Sequence, residues 1–140
     1  MTRIDFYFNV ANKSQLLADL VQVALLKRRQ VTVLAVDEPA ASQVSSDLWQ
    51  NKPENFMPNV LSNHLNAPKT PVIIGFQGDD LKQDDMLINL TMNEPVFFSR
   101  FTQLVELVSD DEQDKVAARA RFKFYRDRGY EIKSTNYAQI

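Results

Sequence analysis

Residues 3–10, RIDFYFNV, alternate strictly: Ile4, Phe6, Phe8 and Val10 fall on one side, Asp5, Tyr7 and Asn9 on the other. That is the period of a β-strand with one face buried. The pattern then changes. Leu16, Leu17, Leu20, Val21, Ala24 and Leu25 recur at helical spacing, which predicts a helix capped by Asn12 or Ser14 and closed by Lys27, Arg28 and Arg29. VTVLAVD at 31–37 is almost wholly apolar and β-branched, the composition of a strand covered on both faces. Pro39 opens a second helix that runs to about Trp49, proline being tolerated at the first helical position.

PVIIGF (71–76) and MLINLT (86–91) read as two more buried strands, held apart by the polar QGDDLKQDD. EPVFFSRF (94–101) reads as a short helix. TQLVELV (102–108) is ambiguous by period, and its shortness and β-branched residues favour a strand. SDDEQDKVAARARFKFYRDRG (109–129) is the clearest helix in the chain. Asp110, Asp111, Glu112 and Asp114 stand at its positive end, and Gly129 stops it. Strand and helix alternate, so the expected fold is α/β: a Rossmann-like three-layer sheet with helices on both faces and right-handed crossovers. One domain is expected over 1–140, with a polar, mobile tail from about residue 131.

The composition, 44% hydrophobic and 24% charged, is that of a globule. A net charge of −2 does not suit a chain that binds polyanions over its whole surface, so any basic site must be local. The absence of cysteine excludes disulfides and thiolate metal sites and suits a cytoplasmic protein. No positively charged leader precedes an apolar stretch, and no apolar run reaches the roughly 20 residues that span a bilayer, so neither secretion nor a membrane is expected.

A Rossmann-like order raises the question of a nucleotide. The three glycines are Gly75, Gly78 and Gly129, and the first strand-to-helix turn, NVANKS, contains none. Neither a dinucleotide fingerprint nor a Walker loop is present, and no cofactor is expected. The sole histidine, His64, lies in a polar stretch without a cysteine partner and reads as a solvated loop residue. Asp79, Asp80, Asp84 and Asp85 carry oxygen ligands for a divalent cation, but a charged loop separating two buried strands explains them better, and no metal is expected. No catalytic constellation stands out. A nucleotide- or metal-dependent enzyme would need its site at the strand ends, near Asn9, Asp37 and the Asp79–Asp85 loop.

The last helix carries more information. At about 100° per residue, Lys115, Arg119, Phe122 and Arg126 form one stripe with Lys123 on its margin. Val116, Ala117, Ala120 and Phe124 fall on another face, expected to pack on the sheet. Residues 115–128 hold six Lys or Arg and one acid. Basic residues at a helix C-terminus complement its dipole, which explains Arg126 and Arg128 better than it explains an aromatic flanked by cations. Cations beside an apolar contact suit a ligand that joins a carboxylate to a hydrophobic side chain, as an acidic peptide does. They also suit single-stranded nucleic acid, with phosphates on arginine and a base on Phe122. The single aromatic and the acidic total charge favour the peptide.

One stretch remains. LWQNKPENFMPNVL (48–61) places the only tryptophan among prolines and asparagines, so Trp49 and Phe56 either fold back onto the core or form an apolar surface for another molecule. Together with the FYF strand, LINL, RFTQLVELV and ARARFKFYRDRGY, the motif LWQNKPENFMP resembles the chi subunit of bacterial DNA polymerase III, in order, from Asp5 to about Tyr130. The resemblance implies a Rossmann-like domain without a nucleotide site, and an adaptor in place of an enzyme. It implies two protein partners: the psi subunit of the clamp loader, and the acidic, Pro-Phe-ended C-terminal tail of single-stranded DNA-binding protein. DNA is then reached only indirectly. The implied tail site is Val108, Lys115, Arg119, Phe122 and Lys123, with Arg119 gripping a carboxylate and Val108 and Phe122 sheltering the terminal phenylalanine. Position 122 is commonly tyrosine in that family, so a hydroxyl is missing here. The implied interface for psi, or for a helicase that competes with psi, is Trp49, Pro53, Phe56 and Pro58. There the prolines stiffen a loop that carries aromatic anchors. Asn59 stands where the family would have histidine.

Overall fold

The computed structural model describes residues 2–51, 59–61, 71–76 and 83–137, with side chains throughout except at 49–51 and 59–61. The elements run β1 (Arg3–Phe8), α1 (Lys13–Leu26), β2 (Val31–Ala35), α2 (Glu38–Asn51), β3 (Asn59–Leu61), β4 (Val72–Phe76), β5 (Met86–Asn89), β6 (Gln103–Leu107), α3 (Glu112–Asp127) and β7 (Ile132–Asn136). The strands form one sheet in the order β3-β4-β2-β5-β6-β1-β7, and every neighbouring pair is parallel. This is the α/β architecture that the alternating pattern predicts.

Strand alternation divides the core into two layers. On one face Val33, Ile74, Ile88 and Val105 pack with Leu17 and Val21 of α1 and with Ala41 and Leu48 of α2. On the other face Ile4, Phe6, Leu87 and Leu104 pack with Ala118 and Tyr125 of α3 and with Phe98 and Phe101. The ambiguous 102–108 segment is a strand, buried at every position of β6. EPVFFSRF is helical only as a short 3-10 turn, Phe98–Arg100. Asn12 caps α1, its side-chain oxygen accepting the Gln15 N–H at 3.1 Å.

At the end of α3, Gly129 adopts φ +82°. Its N–H donates to the Arg126 carbonyl at 3.0 Å, and the Tyr130 N–H donates to the Tyr125 carbonyl at 3.2 Å. This is a Schellman ending, in which only glycine turns left without strain. The Tyr130 ring then packs on Phe98, centroids 5.1 Å apart.

Two expectations need correction. Residues 131–137 are not a loose tail: β7 pairs in parallel with β1 from Ile132 to Asn136. An edge strand draws its order from backbone bonds to its neighbour, so an exposed, polar sequence such as KST gives no periodic signal. The buried face of α3 is also not the one assigned from its small apolar residues. Val116 is 58% exposed and Ala120 is exposed. The buried positions are Asp114, Ala118, Arg121 and Tyr125. Two ionisable side chains and a tyrosine occupy that face because each finds a partner inside, which an apolar pattern cannot register.

Candidate functional site

β1 and β6 run side by side to Tyr7 and Leu107, and Lys115, Ala118, Arg119 and Phe122 of α3 stand near their carboxyl ends. The space between is a cavity of about 400 Å³, within the ~300–1,000 Å³ range of ligand pockets. Its apolar wall is Phe6, Phe8, Val108, Ala118 and Phe122. Phe6 and Val108 are buried, while Phe8 is 36% exposed. The Phe122 ring leans on Phe6, centroids 5.4 Å apart. Lys115 and Arg119 supply positive charge, and Asn9, Ser109 and Ser134 supply neutral polar groups. Arg119 is exposed and makes no hydrogen bond or ion pair among the described residues. Lys115 lies 3.9 Å from Glu112, a marginal pair.

The mouth of the cavity is fixed by a buried carboxylate. Asp114 accepts the Ser109 backbone N–H at 2.8 Å and the Ser109 hydroxyl at 2.9 Å, and Lys13 of α1 pairs with it at 2.7 Å. Burial pushes this carboxyl up, but the bonds from Lys13 and Ser109 outweigh it and hold Asp114 below the ordinary aspartate range. Asp114 thus ties the first turn of α3 to the end of β6. Asn9, at the end of β1, takes the left-handed conformation with φ 59°, which asparagine tolerates. Its amide donates to the Asn136 side chain at 3.1 Å.

A family described as "DNA polymerase III chi subunit, HolC" matches residues 1–133. The chain belongs to the chi subunit family. It is therefore an accessory subunit of the replicative polymerase. The Pseudomonas aeruginosa DNA polymerase III subunit chi is 31% identical over the whole of both chains. The Haemophilus influenzae subunit chi is 33% identical over 77% of this chain and 76% of its own. Among solved structures, the C-terminal domain of the DEAD-box protein Dbp5 superimposes with a TM-score of 0.65 at 13% identity, over 96% of this chain and 90% of that one. This likeness is one of fold alone.

Four of the five residues implied for tail binding, Val108, Lys115, Arg119 and Phe122, line this one cavity, whereas Lys123 is exposed and is not among its lining residues. Trp49 lies in the last turn of α2. Pro53, Phe56 and Pro58 lie outside the described residues, as do His64, Asp79 and Asp80. Asp85 is tied to Arg29, which donates to it at 2.7 Å, and this bond holds its carboxyl below the usual range. Among the described residues no three His, Cys, Asp or Glu converge as a metal site would require. No described helix is long and apolar enough to cross a membrane.

Sequence reasoning missed Phe6, Phe8, Asn9, Ser109, Ala118 and Ser134 as cavity residues. For Phe6 and Phe8 a signal existed. Two aromatics on the same side at the end of a strand exceed what a core layer needs, and the outer one, Phe8, remains partly uncovered.

Arg121, one of the six Lys or Arg in residues 115–128, is only 2% exposed. Its Nε lies 3.1 Å from a carboxylate oxygen of fully buried Glu106, an ion pair without the angle of a hydrogen bond. Arg121 also donates to the Met92 carbonyl at 2.9 Å. The Tyr125 hydroxyl donates to Glu106 at 2.7 Å and the Asn89 amide at 3.1 Å. Burial pushes the Glu106 carboxyl up to about 7, against the pull of Arg121, Tyr125 and Asn89. Burial and the Glu106 charge likewise push the Tyr125 hydroxyl up, keeping it a donor. This cluster locks α3 to the sheet and leaves the ridge to Lys115, Arg119, Lys123 and Arg126.

Proposed function

We propose that the chain is a non-catalytic cytoplasmic adaptor. It links the clamp loader, through psi, to single-stranded DNA-binding protein by gripping that protein's acidic C-terminal tail. One observation carries the reading: an exposed arginine without an internal partner stands at the rim of an apolar cavity walled by Phe122, Val108 and Phe6. A fork of guanidinium donors matches a carboxylate, and the ring-lined wall matches the side chain of a terminal phenylalanine. Lys115 at the rim and Lys123 beyond it attract an acidic segment at longer range. Each single contact is modest. Many tails on one coated DNA strand raise the effective concentration and hence the avidity.

Trp49, with Pro53, Phe56 and Pro58 beyond the described residues, is the proposed surface for psi or for a competing helicase. α2 packs on the face of the sheet opposite α3, so the two partners are not required to share a surface.

Titrating the chain with an acidic peptide ending in Pro-Phe, and with the same peptide lacking its last residue, tests the tail reading. Saturable binding that is lost with the phenylalanine and weakened by salt is the expected result. Equal binding of both peptides would remove the cavity from the reading.

A further inference from the structure

Ser134 lines the cavity and belongs to β7, the terminal strand on that side of the sheet. The ladder decides which backbone groups of β7 are used. Ile4 pairs with Ile132 and donates its N–H to the Glu131 carbonyl at 3.0 Å. Bonding residues alternate along a parallel strand, so Glu131, Lys133 and Thr135 turn their N–H and C=O toward β1. Ile132 and Ser134 turn theirs outward. Among the described residues no strand lies beyond β7 in the sheet, and neither outward set has a partner. A row of unused backbone donors and acceptors therefore begins at the wall of the cavity.

We propose that β7 receives the partner as an added strand. An extended acidic carboxyl-terminal segment, its last aromatic side chain in the cavity, hydrogen-bonds its backbone to Ile132 and Ser134. The inference rests on the tail-binding reading and deepens it by assigning a conformation to the bound segment. Cavity and edge then divide the work: the cavity selects the terminal residue, and the edge fixes an extended backbone whatever the side chains upstream.

A short polar edge with a lysine is also how sheets discourage pairing with their own kind. Here the two roles agree. A second copy would bring Lys133, Lys115 and Arg119 against themselves, whereas an acidic strand meets them with complementary charge.

The test is titration of the full chain with an acidic peptide ending in Pro-Phe, and with a series carrying one backbone N-methyl group at successive positions upstream of that pair. Each methyl removes one donor and crowds the edge. The expected pattern alternates, every second methyl lowering affinity about tenfold, the loss of one hydrogen bond. Uniform tolerance of N-methylation, with binding still dependent on the final phenylalanine, would overturn strand addition and leave the cavity reading standing. Binding indifferent to that phenylalanine would overturn both.

On the protein side, Ser134→Pro and Ser134→Ala both lose the hydroxyl, but only proline loses the outward N–H. Proline is tolerated on an edge strand when its nitrogen faces outward. Ser134→Pro should bind about tenfold more weakly than Ser134→Ala, with matching circular dichroism. Equal affinities in two folded variants would contradict the proposal, and should the proline variant fail to fold, the N-methyl series decides alone.

Discussion

Arg119 and Arg121 stand two positions apart on α3, and the helix turns them about 200° from each other. Arg121 goes inside to Glu106, and Arg119 goes to the cavity rim. Their alanine variants should therefore separate cleanly. Arg121→Ala strands a buried carboxylate and should destabilise the fold by about 3–5 kcal/mol, read by urea denaturation. Arg119→Ala removes no hydrogen bond or ion pair among the described residues and should shift stability by less than about 0.5 kcal/mol. It should lower affinity for the acidic peptide about ten- to a hundredfold, the scale of a charge-assisted hydrogen bond. The opposite assignment, with Arg119 needed for folding and Arg121 for binding, would refute the geometry. From sequence the two are indistinguishable: each is an arginine in a basic run, and only the burial of Glu106 in the middle of β6 separates them.

At the scale of elements, the site depends on how α3 begins. Asp114 holds Ser109 and Lys13, and so sets the helix start against the end of β6. Its folded pKa is depressed, so its contribution to stability is present above the unfolded value of 3.8 and is lost as pH falls through the lower folded value. Asp114→Asn should cost about 1–2 kcal/mol at pH 7, and its deficit relative to the parent chain should shrink in melts below pH 3.8. A deficit constant with pH would mean that the charge has no part in it.

The elements were legible where a periodic apolar pattern exists: β1, α1, β2, β4, β5 and the extent of α3 all follow from it. β7 was not legible, because an edge strand with one half-buried isoleucine has no pattern to show. The inward face of α3 was misassigned because Asp114 and Arg121 are buried by pairing, not by hydrophobicity. The rim of the cavity, Lys115 and Arg119 beside Phe122, was visible as an aromatic among cations. Its floor was legible only at Val108, through the resemblance, because Phe6 and Ser134 come from two strands, β1 and β7, that meet only in the sheet.

For the whole molecule, the sheet separates two surfaces. α2, which carries Trp49, lies on one face, and α3 with the cavity rim lies on the other. On the proposed function an adaptor must hold both partners together, and opposite faces permit that. Trp49→Ala should abolish capture of psi in a pull-down and leave peptide affinity unchanged. Loss of both would mean one shared surface or a damaged fold. The most direct measurement is a backbone NMR titration of the labelled chain with an acidic peptide ending in Pro-Phe. Shifts should concentrate at Val108, Ser109, Lys115, Arg119, Phe122 and Ser134. Shifts confined to the residues around Trp49, or none at saturating peptide, would contradict the assignment of the cavity as the tail site.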